Sequence, residues 1–66
     1  MQVETAELRQ TLETMLSRIE TGEDILEQLE RIDALYQDLT PTAPKMLLHY
    51  LERKSYTKAL ELLKTL

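Results

Sequence analysis

Apolar side chains recur at intervals of three and four residues along most of this chain, and this periodicity restricts the fold more than any other feature. The first set contains Leu8, Leu12, Met15, Leu16 and Ile19. Residues at these spacings lie on one face of an α-helix. At 100° per residue, the set spans a narrow arc of about 100°. The sequence therefore predicts a first helix over residues 4–20.

The chain is short, with 66 residues and no cysteine. A domain of this size is marginally stable and needs disulfides, a metal, dense helix packing or self-association. Without cysteine, disulfides and thiolate metal sites are excluded. The apolar residues are mainly leucine, with fourteen leucines, three isoleucines and three methionines, and this composition favours helices over strands. We therefore expect a single all-α domain over residues 1–66, folded as a small bundle of about four helices.

A break in the helical pattern is predicted around Gly22, the only glycine. Glycine just after a helix can adopt the left-handed conformation that ends it, and Thr21 with Asp24 also fits a capping box. We predict a second helix over residues 23–39. Its stripe stays nearly in phase with the first, so a single helix kinked at Gly22 is the alternative. The apolar residues of this second stripe are Ile25, Leu26, Leu29, Ile32, Leu35, Tyr36 and Leu39.

The only two prolines, Pro41 and Pro44, separate the second helix from the rest of the chain. Proline disfavours helical geometry in the residue before it and suits the first turn of a new helix. We predict a third helix over residues 44–54 and, with Ser55 as its N-cap, a fourth over residues 56–65. At 1.5 Å per residue, the first two helices are about 25 Å long and the last two about 15 Å.

The apolar stripes after the first are wide, and they leave more apolar surface than one copy of so short a chain can bury. We therefore expect self-association, as a homodimer or a higher oligomer. All three tyrosines lie on these stripes, where tyrosine packs in a core or at an interface. The possible partner contacts are Tyr36, His49, Tyr50, Tyr56, Leu62 and Leu66.

The formal charge changes sign near residue 40. Residues 1–40 carry ten acidic and three basic side chains, a charge of −7, whereas residues 41–66 carry five basic and two acidic side chains, a charge of +3. Opposite charges predict that the two halves pack against each other or against a second copy. The overall charge of −4 gives no general attraction to nucleic acid, so no nucleic-acid partner is expected.

Four glutamates recur at spacings of three, four and three residues and form a possible acidic docking face. They are Glu20, Glu23, Glu27 and Glu30. Glu27 is also placed for an i,i+4 ion pair with Arg31.

We predict no catalytic residue, no metal site and no cofactor. His49, the only histidine, has no cysteine as a partner and is expected to be a solvated surface residue. One glycine cannot form the loops that cradle phosphates, and the Glu-x-x-His pairs of di-metal bundles do not occur. The chain is therefore not expected to be an enzyme.

No segment of the sequence has the composition of a membrane span or a targeting peptide. The longest uninterrupted apolar run covers three residues, Met46 to Leu48, which is too short for a transmembrane helix. The N-terminus is acidic rather than basic. We expect a cytoplasmic protein without a membrane partner.

Residues 49–66, HYLERKSYTKALELLKTL, resemble the middle of a tetratricopeptide repeat. In that family a large residue near the end of one helix is followed, across a tight turn, by a tyrosine and a small alanine in the next. The matching residues here are Tyr50, Tyr56, Ala59 and Leu63. Ala43 and Leu47 depart from the family's preferred aromatic and glycine, and residues 1–42 hold no second copy. The resemblance implies a hairpin that binds a peptide or a protein.

These features together predict a small non-enzymatic interaction protein, such as an adaptor, a regulator or an assembly factor. The alternatives are an acidic inhibitor that occupies a basic site on another protein, and a purely structural unit that forms oligomers.

Overall fold

A computed structural model of the protein describes residues 3–65, which form four α-helices and no strand. The helices are α1 (Val3–Thr21), α2 (Leu26–Leu39), α3 (Lys45–Glu52) and α4 (Tyr56–Thr65). The predicted fold class, a small all-α bundle of about four helices, is confirmed. We call α1 and α2 the long hairpin and α3 and α4 the short hairpin.

The break at Gly22 separates two helices, so the alternative of one kinked helix is wrong. Gly22 has a φ of +77°, and its N–H donates to the carbonyl of Ile19 over 3.2 Å. The next N–H, that of Glu23, reaches back to the carbonyl of Arg18 over 2.8 Å. This pair of bonds is the Schellman motif, which needs a left-handed residue that glycine adopts without strain.

Helix α2 begins at Leu26, three residues later than predicted, and the capping box based on Thr21 is wrong. The Thr21 hydroxyl donates to Oε2 of Glu23 over 2.7 Å. Instead, Oδ1 of Asp24 accepts the N–H of Leu26 over 3.0 Å. The N–H of Glu23 is used by the Schellman motif that ends α1. Helix α2 therefore begins later, and its first free N–H group lies within reach of the Asp24 carboxylate rather than of Thr21.

The short hairpin is turned by the same motif with a residue that is not glycine. Lys54 has a φ of +59°. Its N–H donates to the carbonyl of Leu51 over 3.1 Å, and that of Ser55 donates to the carbonyl of Tyr50 over 2.8 Å. This geometry ends α3 at Glu52, two residues before the predicted end.

Helix α1 packs against both α2 and α4, and α3 packs against α4. The core formed between them contains only apolar side chains, and no polar or charged side chain is buried among residues 5–65. Its members are Leu8, Leu12, Met15, Ile32, Leu35, Leu39, Leu47, Leu51, Ala59, Leu60 and Leu63.

Arg31 forms an ion pair with Glu7 of α1 rather than the predicted pair with Glu27 of the same helix. Nε of Arg31 donates to Oε2 of Glu7 over 2.6 Å. The guanidinium reaches across the groove between α1 and α2, so the ion pair connects the two helices of the long hairpin.

Candidate interaction surface at the tip of the long hairpin

The apolar stripe of α1 is buried at one end of the long hairpin and exposed at the other. Leu8, Leu12 and Met15 are fully buried. Ile19 follows Met15 by one turn, on the same face of the helix, yet its side chain is 51% exposed. Leu16 is half-buried. The stripe therefore continues beyond the core toward Gly22.

The apolar residues of α2 show the same gradient in the opposite chain direction. Leu39, Leu35 and Ile32 are buried, Leu29 is half-buried, and Leu26 is 59% exposed. In both helices burial therefore falls toward the turn that joins them.

The gradient arises because the short hairpin covers only part of the long one. Helices α1 and α2 have 19 and 14 residues, whereas α3 and α4 have 8 and 10. At 1.5 Å per residue, the long helices are about 28 and 21 Å and the short ones about 12 and 15 Å. We call the apolar surface at this end the tip face, which consists of the exposed Ile19 and Leu26 and the half-buried Leu16, Ile25 and Leu29.

The end of the short hairpin lies beside the middle of α2 and forms a cleft of about 170 Å³ there. The floor is apolar and includes Ile32 and Leu51. This volume suits one inserted side chain, since pockets for small molecules are commonly above about 300 Å³. We call it the tyrosine cleft, and its lining residues are Ile32, Asp33, Tyr36, Leu51, Glu52, Lys54 and Tyr56.

The tip face and the tyrosine cleft form neighbouring parts of one surface. Leu26 precedes Asp33 by seven residues, and Leu29 precedes Tyr36 by seven, so each pair lies on one face of α2 two turns apart. The side of α2 that the short hairpin contacts in the cleft therefore continues into the tip face.

The phenol group of Tyr56 in this cleft has a raised pKa. Burial raises the pKa of Tyr56 above its usual value, and the negative charge of Asp33 raises that pKa further. Both effects disfavour the phenolate, so Tyr56 remains a hydrogen-bond donor throughout the neutral range.

The structure brings together two of the predicted partner contacts, Tyr36 and Tyr56, in the tyrosine cleft. Tyr50 and Leu62 are half-buried and pack against the core. His49 is exposed on α3, where its ring centroid lies 6.1 Å from that of Tyr50. Leu66 lies outside the described residues.

The four glutamates of the predicted acidic docking face are all exposed. Glu27 and Glu30 line the groove between α1 and α2, together with the Glu7–Arg31 pair and Gln28. Glu23 lines a neighbouring depression with Glu13 and Arg18, and Gln10 and Thr14 line both this depression and the groove. Glu20 lies in the last turn of α1.

Within residues 5–65, no charged side chain of the acidic half forms an ion pair with one of the basic half. Across residues 5–65, the Glu7–Arg31 bridge is the one ion pair, and both of its members belong to the acidic half. The five cations of the basic half are Lys45, Arg53, Lys54, Lys58 and Lys64. Because none of them meets a carboxylate of this range, their charge is available to another molecule.

The described part of the chain holds no group of three or more His, Asp or Glu side chains arranged to bind a metal ion. None of its helices is long and apolar enough to cross a membrane.

Comparison with protein-family models, with curated proteins and with solved structures gives no match. The tetratricopeptide-like spacing of residues 49–66 therefore describes only the local geometry of the short hairpin and assigns no family.

Proposed function

We propose that this protein is a small non-enzymatic interaction module, an adaptor, a regulator or an assembly factor, that binds protein through the tip face. The observation that carries the proposal is the exposure of Ile19 and Leu26, at the ends of the apolar stripes of α1 and α2 that lie beyond the core. Contiguous apolar surface of this kind marks interaction sites when polar residues surround it. Here the surrounding residues include Glu20, Glu23 and Asp24, all exposed.

The tyrosine cleft strengthens this proposal. Tyrosine is enriched at the centres of protein interfaces, because it offers a large apolar ring and a hydrogen-bonding group at low entropic cost. Tyr36 and Tyr56 line an apolar depression next to the tip face. A partner that covers the tip face therefore has a pocket for one anchoring side chain within reach. We place this activity in the cytoplasm, in line with the composition of the sequence.

The proposal is tested by photocrosslinking in the native host at native expression. A photoreactive phenylalanine analogue replaces Leu26 in one variant and Met46 in another. These two residues are matched in exposure, at 59% and 53%, but Met46 lies on α3, outside the tip face. We expect protein adducts from position 26 and none above background from position 46. Equal adducts from both positions, or none from position 26, would overturn the proposal.

The salt dependence of the same adducts separates this function from an acidic inhibitor of a basic site. An apolar contact at the tip face keeps its yield when ionic strength rises. Binding that depends mainly on the acidic half weakens steeply, because salt screens exposed charges beyond about 3 Å at 1 M.

A further inference from the structure

We propose that the occupant of the tip face is a second copy of this chain, packed antiparallel about a two-fold axis with tip face against tip face. This inference rests on the proposed function, since it names the partner of the same surface. In the dimer, the long hairpin of each copy covers the tip face of the other copy, which the short hairpin does not reach.

The shape of the monomer fits this arrangement. The short hairpin ends beside Ile32 and Asp33, and α2 extends beyond it to Leu26, a distance of about 10 Å. A second long hairpin that runs in the opposite direction has the same length beyond its own short hairpin. The two tip faces therefore overlap fully, and each tip ends against the short hairpin of the other copy. Such a contact is self-complementary, as a two-fold interface requires.

The charges fit the same orientation. The turn of the long hairpin carries Glu20, Glu23 and Asp24, and the turn of the short hairpin carries Arg53 and Lys54, all exposed and none in an ion pair with another residue of the range 5–65. Antiparallel packing places each acidic turn beside the basic turn of the other copy. Parallel packing would place the two acidic turns together, and like charges would oppose it. The negative charge of the first half of one chain thus complements the positive charge of the second half of the other chain.

Sedimentation velocity on the purified full chain, from about 5 to about 200 µM, tests the occupant directly, because a dimer held by a small interface dissociates on dilution in this range. We expect the mass to rise with concentration from 7.7 kDa toward twice that value. Leu26→Glu should weaken the dimer at least about 100-fold, because association would bury a charge among apolar side chains. Met46→Glu is the matched control and should leave the dissociation constant within about two-fold. Circular dichroism confirms that both variants stay folded.

A charge-swap experiment tests the orientation. Glu20→Lys and Arg53→Glu are each expected to weaken self-association about ten-fold at low salt, because each places like charges side by side twice in a two-fold dimer. An equimolar mixture of the two variants should regain wild-type association. In the mixed dimer, the two substituted side chains carry opposite charges and face each other at one contact, and the native Glu20 faces the native Arg53 at the other.

Two results would overturn the inference. One is a wild-type chain that remains a monomer at about 200 µM; the other is a dimer that Leu26→Glu and Met46→Glu affect equally.

Adducts of position 26 with other proteins, found together with a monomeric chain, would exclude the second copy and leave the proposed function intact. The absence of any adduct from position 26 would remove the proposed function itself. A mixture of charge variants that stays as weak as its components would exclude the antiparallel orientation.

Discussion

At the scale of single residues, the two hairpin turns use the same backbone motif with different side chains. Gly22 and Lys54 both have positive φ, +77° and +59°, and each closes a Schellman motif. The sequence predicted the first turn, because glycine is the residue that adopts this conformation freely. It also placed the second turn next to Ser55, but it did not reveal that Lys54 is left-handed there, because lysine has no such preference.

Gly22→Ala is expected to destabilise the protein by about 1 kcal/mol, since an L-residue is strained in the left-handed region. A Cβ atom at this position would meet nothing within 4 Å, so the loss would come from the backbone alone. Urea unfolding at a few µM, where the chain is monomeric, measures the change. Gly22→Asn is the control and should lose less stability than Gly22→Ala, because asparagine tolerates the left-handed conformation. An alanine variant as stable as the wild type would contradict the assignment of the cap.

Lys54→Gly is expected to have the opposite effect and to stabilise the protein by about 0.5–1 kcal/mol, because it relieves the strain of a non-glycine residue at positive φ. Lys54→Ala removes the same charge but keeps the strain, so it should be close to neutral. The same urea titration compares the two variants. Equal stabilities of the glycine and alanine variants would show that Lys54 does not hold the left-handed conformation in solution.

The Tyr56 phenol is expected to titrate above the usual tyrosine pKa of about 10. The folded state then holds its proton more tightly than the unfolded state. The stability due to this difference is complete below pH 10 and is lost as pH rises through the higher folded pKa. Phenolate absorbance in a Tyr36→Phe, Tyr50→Phe background reports Tyr56 alone. Asp33→Asn should lower the pKa only in part, because burial is the larger cause. A pKa at or below 10 in the parent background would refute the half-buried position of Tyr56 beside Asp33.

At the scale of helices, periodicity predicted which faces of α1 and α2 are apolar, but not how far along each helix those faces are covered. Leu12 and Ile19 occupy equivalent positions on one stripe, and only Leu12 is buried. Burial of a stripe depends on which element packs against it, and this is decided by the tertiary arrangement. The pairing of Arg31 with Glu7 was missed for a similar reason, because sequence spacing describes contacts within a helix and not across a groove.

Leu12→Ala should therefore lower the free energy of unfolding much more than Ile19→Ala does. Loss of a fully buried leucine costs about 2–5 kcal/mol, which is a large part of the about 3–10 kcal/mol expected for a domain of this size. At concentrations where the chain is monomeric, Ile19→Ala should cost less than about 1 kcal/mol, because half of that side chain already contacts water. Thermal unfolding followed by circular dichroism compares the two. Similar losses from both variants would mean that the tip face is covered within the monomer.

At the scale of the whole molecule, the candidate site follows from a mismatch in length. The sequence predicted two helices of about 25 Å and two of about 15 Å, but it ascribed the surplus apolar surface to the width of the stripes and not to an uncovered end of the long hairpin. Its location could not be derived from the sequence, because the side of the long hairpin contacted by α3 and α4 is not encoded in any one stripe. The tyrosine cleft was likewise beyond sequence reasoning, since it joins Tyr36 and Tyr56 from separate hairpins.

The proposed dimer places the tip faces of two copies in contact. Methyl and amide NMR spectra of the wild-type chain, recorded between about 200 and about 10 µM, locate this contact residue by residue, because a weak dimer dissociates over this range. We predict concentration-dependent shifts for Ile19, Ile25, Leu26 and Leu29 and for the backbone of residues 53–55, with Met46 unchanged. Spectra that do not change with concentration, or shifts that centre on Met46 and His49, would show that the tip face does not bind a second copy.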